Sequence, residues 1–262
     1  MRRFEVQVLA VLDIGNSNIV FGLYQDKALM QHFRISTRHQ GTVDEYGILL
    51  VQLLERKGFS TSQIEAVAMA SVVPQLTATF DGVCQHYFKT PALMVGRDLR
   101  VDMPLLVENP QEVGVDRIVN AYAAYQKHRQ AVIVVDLGTA TTFDVVNAQG
   151  QYLGGAIAPG AKSTNDALSH SVAQIRHTEI MRPEFVIGKN TKEAVMSGVF
   201  FGYVGLIDNL VMRMKQELGC PVKVLATGGL ANLFKEASLT IEEVDAGLTI
   251  SGLRLIYFKN HK

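Results

Sequence analysis

Two similar α/β halves, each a mixed sheet flanked by helices, are what this 262-residue chain predicts. Three observations carry that prediction. First, "LDIGNSNIVFGLYQDK" at 12–27 and "VVDLGTATTFDVVNAQG" at 134–150 align at one offset, pairing Asp13 with Asp136 and Gly15 with Gly138 (136 − 13 = 123). Second, apolar runs short enough for strands alternate with stretches of three- and four-residue apolar spacing that read as helices. Third, 48% hydrophobic residues over this length can bury a large core, in one big domain or two fused halves. The constant offset is the mark of an internal duplication.

Each copy reads as strand, tight glycine turn, returning strand and polar hairpin, with Gln25-Asp26-Lys27 in register with Ala148-Gln149-Gly150. Thr42 and Glu45 have capping-box spacing ahead of Ile48, Leu49, Leu50, Leu53 and Leu54, which predicts a helix up to about Gly58. "IEAVAMASVV" is a buried strand, Pro74 opens a helix through Tyr87, and "ALMVG" is a short strand. A helix from Pro110 runs past "VDRIVNAYAAYQKH", with Ile118, Ala121, Tyr122 and Tyr125 on one face. In the second half, "GGAIAPG" is a glycine-rich entry to a helix over 161–173. Asn190 or Thr191 caps a helix of more than twenty residues that ends at Gly219, with Lys215 near its carboxyl end. "VKVLATGGLANLF" is a strand running into a Gly-Gly turn, and "TISGLRLIYF" is a last helix. The halves are placed at 1–115 and 116–262, and ligands are expected in the cleft between them at strand ends.

Lys plus Arg and Asp plus Glu number 25 each, so no net field draws nucleic acid or an anionic membrane, and a phosphate ligand must be held locally. Cys84 and Cys220 lack zinc spacing and cannot staple a chain of this length, which points to a reducing cytoplasm. In "MRRFEVQVLAVLD", Glu5 and Asp13 interrupt what would be a signal peptide, and no stretch approaches the ~18 consecutive apolar residues of a membrane helix. The histidines show no H-x-x-x-H or H-E-x-x-H spacing, so His170 and His177 are not read as metal ligands. Cys84 and His86, two apart on a helix, point away from each other.

The two Asp-x-Gly turns carry the chemistry. Gly15 and Gly138 permit positive φ and close approach of main chain to a ligand, and the small residues after them leave N–H groups for an anion-holding nest. A carboxylate two residues earlier binds a cation rather than phosphate, so two such turns facing one another would clasp an ATP tail. A hairpin with an Asx-turn aspartate explains one copy equally well, but not two in register. No Walker loop is present, since "IGKNT" lacks the earlier glycine, and no strand leads into G-x-G-x-x-G. "ATGGLANL" offers Gly228 and Gly229 as a turn on which adenine or ribose can lie.

"DIGNSN", "DLGTATT" and "ATGGL" together resemble the phosphate-1, phosphate-2 and adenosine segments of the superfamily of actin, sugar and acetate kinases and heat-shock ATPases. That resemblance implies duplicated ribonuclease H-like, actin-like ATPase halves. "NPQEVGVDRIVNAYAAY", "GGAIAPG", "VIGKNTKEAVMSGVFFGYVGLID" and "GLTISGLRLIY" further resemble type III pantothenate kinase. The implied reaction moves the γ-phosphoryl group of ATP to the primary hydroxyl of pantothenate, the first step of coenzyme A synthesis. Asp116 matches the family's proton acceptor, and a carboxylate suits a loose transition state in which the hydroxyl loses its proton late. Arg117 would keep Asp116 ionised and hydrogen-bond the acceptor.

By the same resemblance, Gly114, Val115, Asp116, Arg117 and Thr191 bind pantothenate, and Val107 lies where an aromatic is expected near its pocket. Asp13, Ile14, Gly15, Asn16, Ser17, Asn18, Ile19 and Val20 match the ATP loop, with Asn16 and Ser17 as donors, and Thr139 a second nucleotide contact. Asp136 matches the ligand of a monovalent cation, K⁺ or NH₄⁺, while Mg²⁺ arrives with the nucleotide. The family implies a homodimer that completes the substrate pocket; Gly198, Gly202 and Gly205 would let another helix pack close, from a second copy or equally from within the chain. Three departures stand out: Val107, the stretch "GAKSTNDALSHSVAQIRHTEI" where "GLKLSAEAL" is usual, and Ser251 in place of a glutamate. Ser17 for the common threonine keeps its hydroxyl. Two rival readings are an accessory factor for transcription, against which intact Asp13, Asp116, Arg117 and Asp136 argue, and a polyphosphate phosphatase, against which "GVDR" argues.

Overall fold

The computed structural model describes residues 7–171 and 179–261. In chain order its strands are β1 (Val8–Ile14), β2 (Asn18–Gln25), β3 (Ala28–Ser36), β4 (Ile64–Ser71), β5 (Ala92–Met94), β6 (Val132–Leu137), β7 (Ala140–Val146), β8 (Tyr152–Pro159), β9 (Lys223–Thr227) and β10 (Glu243–Val244). Its α-helices are α1 (Val43–Arg56), α2 (Pro74–Val83), α3 (Val115–His128), α4 (Ala161–Ser171), α5 (Thr191–Leu218), α6 (Ala231–Lys235) and α7 (Leu248–Asn260). Contacts divide the chain into one unit of Met1–Asp102, Gln111–Ala123 and Thr249–Lys262 and a second of Met103–Pro110 and Ala124–Leu248. The division falls inside α3.

In the first unit β1, β2 and β3 form an antiparallel meander, and β4 and β5 add in parallel on the β1 side, giving the order β3-β2-β1-β4-β5. Alternation decides what each face buries. Ala10, Leu12 and Ile14 of β1, with Ile19, Phe21 and Leu23 of β2, share a core with Leu50 and Leu54 of α1 and Leu76, Phe80 and Val83 of α2. The capping box at the start of α1 forms as read, with Thr42 Oγ1 accepting from Glu45 N–H and Glu45 Oε2 from Thr42 N–H. Pro74 starts α2, which runs into one wide turn at Cys84–Phe88 and stops at Lys89 in the left-handed region, φ 58°. The opposite side of β1 and β2 takes α7: a Cβ on Gly22 would lie 3.6 Å from Ile250 Cδ1. α7 crosses α3 where a Cβ on Gly252 would come within 2.7 Å of Val119 Cγ1, so only glycine permits that approach.

The second unit repeats the plan. Its sheet order is β10-β9-β6-β7-β8, again an antiparallel meander with parallel strands beyond its first member. Ile133, Val135 and Leu137 of β6 and Phe143 and Val145 of β7 pack with Phe200, Tyr203, Ile207 and Val211 of α5 and Phe234 of α6. Among the described helices, α5 is long and apolar enough to cross a membrane by length and composition. That apolarity goes into the second core. α5 ends as read, on Gly219 in the left-handed region, φ 62°.

Several elements differ from the sequence reading. The helix expected from Pro110 is a single 3₁₀ turn at Pro110–Glu112, and α3 begins only at Val115. The apolar pattern does not reveal β3 or β8, the latter covering most of "GGAIAPG". Both are edge strands, and Phe33 is the one buried side chain of β3, so their order comes from main-chain pairing with β2 and β7 rather than from an apolar pattern. The tail of the helix expected over 161–173, the His170 side chain and His177 lie outside the described residues.

The duplication is also less uniform than one offset. Ala10, Leu12 and Ile14 match Ile133, Val135 and Leu137 at 123, yet Ile14 pairs with Ile19 whereas Leu137 pairs with Thr141. The second turn is one residue shorter, so Phe21 and Leu23 correspond to Phe143 and Val145 at 122. The second hairpin is one residue longer: Tyr24 pairs with Leu29 and Val146 with Tyr152, restoring 123 (152 − 29). Gln25-Asp26-Lys27 therefore does not match Ala148-Gln149-Gly150 one for one. Because a one-residue slip would turn every side chain to the wrong face, turn length changed and the face pattern did not.

Candidate active site

The first loop leaves β1 after Ile14 and enters β2 at Asn18. Ile14 and Ile19 are both 0% exposed and anchor the loop in the core, so of the segment Asp13 to Val20 these two have only main chain to offer a ligand. Asn16, Ser17 and Asn18 are exposed, and Asp13 is half-buried opposite Val20. Gly15 is not among the glycines with positive φ, contrary to the reading of the turn. Its N–H closes the turn on Asn18 O at 3.0 Å, and a Cβ would sit 3.0 Å from the same oxygen, so the position needs space rather than a left-handed backbone. Thr37, one residue past β3, donates its hydroxyl to Gly15 O at 2.7 Å and its N–H to Ser17 O at 3.0 Å. Nothing in the sequence spacing pointed to Thr37, because it meets the loop through a strand that the apolar pattern does not reveal.

The second loop, Gly138-Thr139, is built differently. Gly138 also lacks positive φ, and its N–H bonds Ala140 O at 3.1 Å. The position equivalent to Thr37 is Gly160 (160 − 37 = 123), where a Cβ would lie 2.2 Å from Thr139 O and 2.7 Å from Gly138 O. The main chain itself fills the place of the Thr37 side chain. Ser163, in the first turn of α4, donates to Thr139 O at 3.0 Å. From a third direction comes Gly228, φ 92°, just past β9, whose Cβ would meet Leu137 O at 2.6 Å and Asp136 Oδ1 at 2.7 Å. Thus "DLGT", "PGAKS" and "TGG", far apart in sequence, meet around Asp136 and Thr139.

This donor set fits a hard, weakly demanding cation. Asp136 Oδ1 and Leu137 O, which a Cβ on residue 228 would meet at 2.7 Å and 2.6 Å, are both oxygens, the donors such an ion takes. Among the described residues no group of three or more His, Cys, Asp or Glu is placed to hold a metal ion.

Asp116 lies in the first turn of α3. Gly114 O accepts from Ile118 N–H at 3.2 Å, opening the helix, and a Cβ on Gly114 would lie 2.7 Å from Asp116 Oδ1. Glycine there makes room for the carboxylate. Arg117 N–H donates to Asp116 Oδ1 at 2.8 Å. Burial pushes the Asp116 carboxyl above its ordinary value, opposed by that N–H and by the Arg117 charge. One turn further along, buried Asn120 accepts from Thr249 Oγ1 of α7 at 2.8 Å, fixing the helix that carries Asp116. Gly114, Val115, Asp116 and Arg117 therefore form one local constellation.

Thr191 and Val107 belong to the second unit. Asn190, not Thr191, caps α5, accepting from Glu193 N–H at 3.0 Å, and Thr191 is the exposed first helical residue. Gly188 wraps tightly on that turn, a Cβ there lying 2.3 Å from Ala194 N. Val107 is half-buried beside Gly154, on a stretch held by Leu106 N–H to Tyr152 O and Tyr152 N–H to Pro104 O. Ser251, the departure in α7, lies 3.3 Å from Tyr24 Oη, with Arg254 over the same ring.

Residues 9–213 match the type III pantothenate kinase family. A protein of Anaeromyxobacter sp. (strain Fw109-5) named type III pantothenate kinase is 49% identical over 253 residues, 97% of this chain and 100% of that protein. A Myxococcus xanthus protein of the same name is 44% identical over 254 residues, 97% and 99% of the two chains. Among solved structures, a conserved Baf family protein from Campylobacter jejuni superposes with a TM-score of 0.61 at 22% identity, covering 96% of this chain and 98% of its own.

Proposed function

The chain belongs to the type III pantothenate kinase family, and on that premise we propose that it transfers the γ-phosphoryl group of ATP to pantothenate, giving 4′-phosphopantothenate in coenzyme A biosynthesis. The observation that carries the reading is the Gly114-Val115-Asp116-Arg117 constellation, inside the matched span, with glycine opening space for a single carboxylate. In the reaction the primary hydroxyl oxygen of pantothenate bonds to the γ-phosphorus as the bond to the β,γ-bridging oxygen breaks. ADP leaves, and the hydroxyl proton passes to the Asp116 carboxylate. Since the acceptor proton is lost late, Asp116 acts chiefly by orienting the hydroxyl, and Arg117 keeps it ionised despite burial.

We assign the ATP phosphates to the main chain of Asp13 to Val20 with Asn16 and Ser17 as side-chain donors, and a further nucleotide contact to Thr139. Mg²⁺ enters with ATP. Asp136 Oδ1 and Leu137 O would hold K⁺ or NH₄⁺, which when bound supplies positive charge against the nucleotide phosphates. Thr191, and Val107 in place of an aromatic, are assigned to pantothenate. A homodimer is supported by one stripe of α5: Cβ atoms on Gly198, Gly202 and Gly205 would meet no other heavy atom of the described residues within 4 Å, and exposed Met212 continues it. Two free thiols, Cys84 and Cys220, favour a reducing cytoplasm.

The test is direct: purified chain with pantothenate, ATP, Mg²⁺ and K⁺ is expected to yield 4′-phosphopantothenate and ADP in equal amounts. ADP formed without phosphopantothenate, or no turnover at saturating substrates, refutes the assignment.

A further inference from the structure

We propose that Thr37 is a positioning residue for ATP, holding the first phosphate loop in its binding shape from outside the nucleotide site. The inference rests on reading Asp13 to Val20 as the ATP loop, and it names a residue that reading does not contain. Thr37 reaches two loop carbonyls at once, Gly15 O through its hydroxyl at 2.7 Å and Ser17 O through its N–H at 3.0 Å. All described peptide bonds are trans, and in a trans peptide the N–H points opposite to the C=O of the same unit. The unit whose carbonyl is Gly15 O carries the Asn16 N–H, and the unit whose carbonyl is Ser17 O carries the Asn18 N–H. Drawing both carbonyls toward Thr37 turns both amides away from it, as a phosphate-holding loop requires. Without the hydroxyl the Gly15–Asn16 peptide is free to rotate, and ATP must then reorder it on binding.

The second loop supplies an internal contrast. At the equivalent position a Cβ on Gly160 would overlap Thr139 O and Gly138 O, so no side chain fits, and it is Ser163 that donates a hydroxyl, to Thr139 O. Each loop is thus braced on its carbonyls, by different means. An ornamental contact would not be expected at both.

The experiment compares Thr37→Val, which keeps shape and the N–H to Ser17 but removes the hydroxyl, with Thr37→Ser, which restores a donor. Thr37→Val is expected to raise KM for ATP about three- to tenfold, the net worth of one hydrogen bond, with KM for pantothenate and Tm nearly unchanged. Thr37→Ser is expected to stay within about twofold of the parent chain. If Thr37→Val fails to fold, Thr37→Ala is measured instead, alongside amide exchange of Asn16 and Asn18 in the parent chain, which ATP should slow. An unchanged KM for ATP in Thr37→Val, equal rises in both KM values with a fall in Tm, or no slowing of exchange overturns the proposal. Asp13→Asn separates the two layers. If it weakens ATP binding while Thr37→Val does not, the loop assignment stands and the Thr37 role falls; if neither variant affects ATP, both fall.

Discussion

Two loops of common origin end up with different supports. In the first half, Gly15-Asn16-Ser17 is three residues long and is braced by a side chain, Thr37, which arrives after β3. In the second, Gly138-Thr139 is two residues long, and the space a side chain would take is closed by Gly160, with Gly228 pressed on the other side of Asp136. The longer loop exposes two small polar residues, Asn16 and Ser17, with Asn18 exposed at the start of β2. The shorter one sets its carboxylate among glycines, the arrangement we proposed for a monovalent cation. Duplication kept the buried faces of both sheets and changed turn length at either end of the same strand, so the cores stayed alike while the loops diverged.

The largest effect expected from testing that division comes from Asp116, the proposed acceptor group, which lies in the first unit. Asp116→Asn should lower kcat by about 10²–10⁴-fold with KM for ATP little altered. Stability should move the other way. Because burial raises the Asp116 pKa above 3.8, the folded chain keeps this proton to higher pH than the unfolded chain. Stability from this group is present at low pH and lost as pH rises from 3.8 through the raised value, above which the buried charge costs free energy. Asp116→Asn removes that cost, so its Tm at neutral pH should equal or exceed the parent's. A lower Tm would mean that the carboxylate is structural.

Asp136→Asn should act on the cation instead of the acceptor. The expected outcome is a rise of about 10–100-fold in the K⁺ concentration that half-activates the enzyme, with KM for pantothenate unchanged. Loss of activity independent of K⁺ would break the contrast between ion-holding and phosphate-holding loops. Glycine swaps sharpen it further. Gly160→Ala puts a Cβ 2.2 Å from Thr139 O and should destabilise by about 1–3 kcal/mol in chemical denaturation, whereas Gly15→Ala, at 3.0 Å from Asn18 O, should cost less. Equal costs would mean that the two glycines do the same job.

The same contrast explains what was legible in the sequence. The capping box at Thr42 and Glu45, Pro74 opening α2 and Gly219 closing α5 are local chemistry, each settled by a few neighbouring residues, and each forms as read. The two Asp-x-Gly turns were legible for a related reason, as a repeated local pattern, although neither glycine has a left-handed backbone and only Gly15 is tight, a Cβ on Gly138 meeting nothing nearer than 3.5 Å. What was hidden depends on pairing at a distance. β3 and β8 are edge strands with weak apolar signal, and Thr37, which bonds the first loop, and Gly160, which lies close against the second, stand at their ends. The break before α3 was hidden too: the 3₁₀ turn ends at Glu112 and α3 starts at Val115, next to Gly114, where a Cβ would crowd the Asp116 carboxylate.

The smallest expected effect compares the two halves through their cysteines. Cys84, in the first unit, is fully buried where α2 widens into its last turn, and burial pushes its thiol up to about 12. Thiolate is the reactive form, so at neutral pH this side chain is both inaccessible and protonated. Cys220, in the second unit just past Gly219, is exposed. Iodoacetamide should therefore modify one thiol per native chain, at Cys220, with little effect on turnover, and a second only after unfolding. Fast labelling of Cys84 in the native protein would show that the α1–α2 side of the first core opens readily. In that case the anchoring of the phosphate loop through Ile14 and Ile19, which share that core, would be much softer than their burial indicates.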